Sequence, residues 1–190
     1  MINMKKNWNN ITIREYQEIV RISNDVALSD IEMYAKIVAC LYGLPYERVM
    51  QMTPSELLDY DVSFLKTKEP EFPIPQAIDI NGRHFKVVQF VKDLKTGQFI
   101  DMQLILSKCK DERDMIENFD KIISCFLLNE SSRYESGIDC KNVLFSQGYP
   151  ILFFFTKFKK KLETITSNIF NLEETENIHV SIRVRKIWKQ

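Results

Sequence analysis

The residues able to do chemistry in this chain are few and far apart. His84 and His179 are its two histidines. Nothing in the spacing sets either beside a serine or cysteine with an orienting carboxylate, so no nucleophile–base pair can be built. Cys40, Cys109, Cys125 and Cys140 form no Cys-x-x-Cys pair. A zinc site needs clustered ligands, and these cysteines and histidines are scattered. The five glycines stand singly, so there is no glycine-rich phosphate loop. Asp59 with Asp61 is a carboxylate pair of a kind that most chains of this length contain. Asp101 follows Phe99-Ile100 in apolar surroundings. A half-buried carboxylate there needs donors, for which Arg83, Lys95 or backbone N–H groups are at hand. Structural satisfaction is the first reading of it, ahead of general-base catalysis. These residues predict no catalytic, cofactor or metal site, and a non-enzyme.

The elements that would position them read as α+β. Thr12, Ser29 and Thr53 are each followed three residues later by glutamate (Glu15, Glu32, Glu56), the capping-box signature of a helix start. Ile13, Tyr16, Ile19 and Val20 give the first helix its apolar face, and Tyr34, Ile37, Val38 and Leu41 the second. Gly43 is placed to stop the second helix and Pro45 to start a short one over residues 46–52. Residues 1–66 are thus a helical N-terminal part. Pro70, Pro73 and Pro75 make the next stretch an extended connector.

Residues 67–128 add a β-hairpin and a helix to the same domain. Ile78 and Ile80 alternate before Asn81-Gly82, and Phe85 and Val87 after it, which predicts a hairpin over 77–90 closed by a type I′ turn. Such a ribbon must pack on helices or find another strand. A second turn signal lies at Lys95-Thr96-Gly97. Phe99, Met102, Leu104 and Leu106 fit no clean alternation, so residues 98–106 read as a strand or a short helix. Asp111 then caps a helix running to about Leu128, its stripe formed by Met115, Phe119, Ile122, Ile123, Phe126 and Leu127.

Residues 129–190 form the C-terminal part. Asn129 to Ser136 is a polar loop, the best candidate for mobility. Residues 140–147 read as a short helix closed by Gly148. A long helix is expected from Pro150 to about Asn171, with Ile151, Phe155, Phe158, Leu162, Ile165 and Ile169 at heptad steps. That seam faces either the chain's own core or another subunit. Ile178, Val180, Ile182 and Val184 alternate along a final strand or arm, near Trp188, that pairs within the chain or with a neighbour. The candidate interface is therefore Phe155, Phe158, Leu162, Ile165 and Ile169 on the helix, with Ile178, Val180, Ile182, Val184 and Trp188 on the arm.

Composition sets the bounds. At 190 residues and 45% hydrophobic content the chain can bury a core of ordinary size. Net charge is zero, so no global field draws nucleic acid or an anionic membrane. The first ten residues show no apolar run after their lysines, and no stretch is long enough to span a bilayer. The thiols are accordingly expected to be reduced and buried.

Five short stretches carry a resemblance. They are Ile11-Thr12-Ile13-Arg14-Glu15-Tyr16, Leu28-Ser29-Asp30, Leu44-Pro45-Tyr46-Glu47-Arg48-Val49, Ile80-Asn81-Gly82-Arg83-His84-Phe85 and Thr96-Gly97-Gln98-Phe99-Ile100-Asp101. In this order, over roughly residues 11–128, the chain resembles small tailed-bacteriophage virion and assembly proteins of the tail-assembly-chaperone or neck and tail-ring kind. The resemblance implies a non-enzymatic structural component of the neck, portal vertex or tail. It implies a homo-oligomeric ring, other virion proteins as partners, and a place in the virion after assembly in the host cytoplasm. A transient assembly chaperone is the first alternative. A nucleic-acid-binding module, using Lys157 to Lys161 and the basic C-terminal arm, is the second; contact with DNA is conceivable through that arm but not expected, and none is expected with a membrane.

Overall fold

The computed structural model describes residues 5–156. One compact unit runs up to Leu152, and a second begins at Phe153. The fold is α+β. Among the described residues there are eight α-helices and a three-stranded antiparallel sheet.

The helix starts form where the caps predict. Helix α1 (Ile13–Ser23) begins at Thr12, whose hydroxyl accepts from Glu15 N while the Glu15 carboxylate accepts from Thr12 N at 2.7 Å. Helix α2 (Asp30–Tyr42) repeats this with Ser29 and Glu32, and α4 (Pro54–Leu58) with Thr53 and Glu56. Each box satisfies backbone donors that have no partner inside the helix. Gly43 ends α2 at φ 61°, a left-handed cap that glycine adopts without strain. Helix α3 (Tyr46–Val49) follows Pro45 and is shorter than expected. The chain interrupts at residues 59–62, where Tyr34 and Tyr42 of α2 donate to the Tyr60 and Asp61 carbonyls at 2.8 and 2.9 Å.

The hairpin is β1 (Ala77–Ile80) and β2 (Arg83–Val87). Asn81 and Gly82 sit at φ 51° and 75°, the paired positive values that a type I′ turn demands. Ile78, Ile80, Phe85 and Val87 face the core, as their alternation predicts. The ribbon is completed by β3 (Leu127–Leu128), which pairs Leu127 with Val87 and Leu128 with Lys86.

That third strand corrects the sequence reading, which ran one helix from Asp111 to Leu128. Asp111 does cap a helix, α6 (Glu112–Glu117). The chain then breaks at Asn118, restarts as α7 (Phe119–Ser124), and leaves helix before Phe126. The Phe126 carbonyl accepts from Val88 N at 2.8 Å, so pairing with β2 takes over where the helix ends. The turn signal at residues 95–97 opens a helix, α5 (Thr96–Leu106), and not a strand. The polar loop at 129–136 is laced to the hairpin: Asn129 and Arg83 both donate to Glu135, at 2.7 and 2.6 Å.

A second correction falls at Gly148. Residues 145–156, here α8, are helical straight through Gly148, expected to close one helix, and Pro150, expected to start the next. Packing explains it. A Cβ on Gly148 would come within 2.7 Å of both Ile13 Cδ1 and Ile123 Cδ1, and those isoleucines are fully buried. The missing side chain lets α8 lie directly against α1 and α7, and that burial outweighs glycine's poor helix propensity. Gly148→Ala would gain the propensity of alanine, yet it is expected to destabilise by about 1–3 kcal/mol through overpacking. A urea titration at unchanged m-value reads this; a stabilised variant would show that the isoleucines have room to yield.

The start of the described chain is tied to α8 as well. Residues 11–13 run antiparallel to 143–145, with Ile13 N donating to Val143 O and Phe145 N to Ile11 O, both at 2.8 Å. Phe145 is fully buried, with ring centroids of Tyr16 and Tyr149 at 4.6 Å and Trp8 at 5.1 Å.

Several carboxylates hold these pieces together, and they share one pH dependence. The Ser29 and Thr53 caps draw Glu32 and Glu56 below the ordinary carboxylate range. Lys5 with Ser63 does the same to Asp61, and Asn129 with Arg83 to Glu135. A lowered folded pKa gives stability that is complete above the unfolded value, about 4–4.5, and that is lost as pH falls through the folded values. The thermal midpoint is therefore expected to fall steadily below about pH 4.5. A midpoint that rises on acidification would contradict these roles.

Candidate functional site

His84 lies opposite Asp79 across the hairpin, and its Nδ1 is 2.8 Å from the Asp79 carboxylate. Both side chains are largely exposed, so this is a cross-strand pair on the solvent face. Asp101 finds its donor in a residue the sequence did not suggest. The Tyr134 hydroxyl donates to it at 2.5 Å, in place of Arg83 or Lys95. Gly97, one helical turn before Asp101, makes room: a Cβ there would stand 3.0 Å from the Tyr134 ring. Asp59 and Asp61 do not act as a pair, since the Asp61 carboxylate is taken by Lys5 at 2.8 Å and by Ser63 N at 2.9 Å.

The cysteines are all free thiols; Cys125 and Cys140 are buried, while Cys40 and Cys109 are half-buried. Burial pushes Cys125 and Cys140 up to about 12 and Cys40 up to about 11. At neutral pH these three are thiols and not thiolates, the opposite of what a nucleophilic cysteine requires. Among the described residues no group of three or more His, Cys, Asp or Glu side chains could hold a metal ion. No helix of the described residues is long and apolar enough to cross a membrane.

Of the ten interface residues expected from sequence, Phe155 is the one described, and it is buried. Phe158, Leu162, Ile165, Ile169, Ile178, Val180, Ile182, Val184 and Trp188 lie outside the described residues, as do most of the expected long helix and the whole of the final strand.

The surface that stands out is on α5. This helix is apolar on both sides. Gln98 and Met102 face inward and are fully buried. Ile100 and Leu104, on the opposite side, are 53% and 55% exposed, Phe99 on the flank is 37% exposed, and Phe90 just before the helix is 62% exposed. A helix that is hydrophobic all round is normally covered all round. Other exposed large apolar side chains among the described residues, such as Ile31 on α2 and Leu58 on α4, come from separate elements. The one ionisable residue of α5 is Asp101, and its carboxylate is occupied by Tyr134. The outer face thus offers apolar area with no charge of its own.

Among known proteins, no family model, no curated sequence and no solved structure matches this chain. The α5 face is hard to see in the sequence for a definite reason. Phe99, Met102, Leu104 and Leu106 fit a strand period badly. Plotted at 100° per residue, Gln98 and Met102 fall on one side, Ile100 and Leu104 on the other, and Phe99 on the flank between them. That two-sided pattern is the available signal.

Proposed function

We propose that this chain is a non-enzymatic assembly subunit that works through protein–protein contacts, with the outer face of α5 as a contact between copies of the chain. The exposed apolar face of α5 is the observation that carries this reading. The occupant is a second copy because the face has no net charge to offer a charged partner, and a two-fold pairing would set two identical neutral patches together. Three helix side chains and Phe90 bury less than the area of a standard permanent interface, so each contact is weak and association depends on concentration. A two-fold contact of this kind closes as a dimer, so a ring of such dimers needs a second, heterologous contact on each copy.

The setting is a tailed-bacteriophage virion, in the neck, portal vertex or tail, which the sequence resemblance supports. Quantitative mass spectrometry of purified particles tests it. The expected result is this chain at a fixed stoichiometry to the major virion proteins. Its presence in infected cells but absence from finished particles would replace the structural role with that of a transient chaperone. Absence from both would overturn the viral setting.

A further inference from the structure

A second surface, on other elements, is built differently. Helices α1, α2, α6 and α7 and the loop at residue 141 line an open groove of about 590 Å³. Four cationic and four anionic side chains line it, so by formal charge it is neutral. The pairing is not. Lys6, from outside the groove, holds Glu15 at 2.8 Å, and Arg113, also from outside, holds Glu117 at 3.4 Å. Glu18 is matched within the groove by Arg21. Asp120 is buried and takes its hydrogen bond from Gln17, which also donates to the Ile116 and Glu117 carbonyls.

The cations are left over. Among the described residues Arg14, Lys121 and Lys141 have no carboxylate partner. Lys121 reaches only the Asn118 amide oxygen, at 2.9 Å. Arg14 and Lys141 are neighbours by backbone, with Arg14 N donating to Lys141 O at 2.9 Å, and both side chains are exposed. Three unmatched cations against one unmatched carboxylate leave a positive groove on a chain of zero net charge.

We infer that this groove binds an acidic peptide segment of a partner protein, with its glutamate or aspartate side chains on Arg14, Lys121 and Lys141. The shape favours a peptide over a small anion. A small-molecule site encloses most of its ligand, whereas this groove is more open than enclosed. Charge complementarity of this kind selects the partner and speeds encounter more than it adds affinity. The inference does not depend on the α5 face, since no residue is shared, and either can fail alone.

Fluorescence anisotropy with a labelled hexaglutamate peptide at low ionic strength tests it on the full chain. The wild type is expected to bind, and binding to weaken as salt rises. The double variant Arg14→Gln/Lys141→Gln is expected to bind roughly tenfold more weakly. Both side chains are exposed and their mutual bond is through the backbone, so folding is not at risk. Lys66→Gln/Lys68→Gln removes the same charge from an exposed stretch elsewhere and is expected to bind as the wild type does. No binding by the wild type, or equal weakening in both double variants, would overturn the inference. So would inorganic pyrophosphate binding as tightly as the peptide, which would make the groove a small-anion site.

Discussion

Phe145→Ala is expected to destabilise the compact unit by about 3–5 kcal/mol, the range for emptying a fully buried aromatic position. The ring is the hub of an aromatic cluster. Tyr16 and Tyr149 lie at 4.6 Å, Trp8 at 5.1 Å and Phe72 at 6.4 Å, and Trp8 meets Phe64 edge-on at 5.2 Å. These residues come from the segment before α1, from α1 itself, from the 3-10 turn at Ser63–Lys66, from the proline-rich connector and from α8. Removing one side chain therefore loosens the contacts that these five segments make through the cluster. Such a cavity cannot collapse easily, because the Phe145 backbone is pinned by its bond to Ile11 O. Urea unfolding followed by circular dichroism would measure the loss. A cost below about 1 kcal/mol would mean that the cluster repacks, and that the hub lies elsewhere.

Gln98→Leu is expected to cost about 2–4 kcal/mol for a different reason. Gln98 is completely buried at the third position of α5. Its oxygen accepts from Lys95 N at 2.8 Å, capping the helix start, and its amide donates to the Cys125 carbonyl at 2.8 Å, just past the end of α7. One side chain satisfies an orphan donor of one helix and an orphan acceptor of another. Leucine fills the same space and supplies neither bond, leaving the Cys125 carbonyl unpaired in the core and the Lys95 N–H without its cap. Gln98→Glu keeps the acceptor but loses the donor and buries a carboxyl group, so it is expected to be no better. Unfolding midpoints of the two variants against wild type decide this; a neutral Gln98→Leu would show that the backbone groups find other partners.

How much of this was legible in advance depended on whether the cause was local. The three capping boxes and the Asn81-Gly82 turn were readable because each is settled within four residues. Asp111 was readable as a cap for the same reason. Gly148 and Pro150 suggested a boundary between two helices, since a local rule closes one helix at the glycine and opens the next at the proline, while the contacts of Ile13 and Ile123, far away in sequence, make one continuous helix. Strand β3 was hidden because Leu127 and Leu128 sit at the end of an apolar stripe that helix and strand explain equally well. The break at Asn118 has no strong local marker. The donor to Asp101 could not be found by spacing, because Tyr134 reaches it across 33 residues and over a glycine whose role emerges only in three dimensions. The groove obeys the same rule. Which cations are unmatched depends on partners such as Gln17 and Asp120, which are 103 residues apart.

The thiols give a simple companion measurement. Cys40, Cys125 and Cys140 are held protonated by burial, so iodoacetamide at neutral pH is expected to leave them unmodified in the folded chain. Their labelling in the Phe145→Ala variant should rise with the unfolded fraction.

The claim that the outer face of α5 joins one copy to another is tested most directly by sedimentation velocity of the wild type beside Ile100→Lys/Leu104→Lys. Both positions are more than half exposed, so the substitutions leave the fold intact while placing like charges at the centre of the patch. The expected result is a wild-type sedimentation coefficient that climbs across about 1–100 µM, as a micromolar contact requires, and a variant that stays monomeric throughout. A wild type that remains a monomer over that range, or a variant that associates as readily as the wild type, would contradict the assignment of this face.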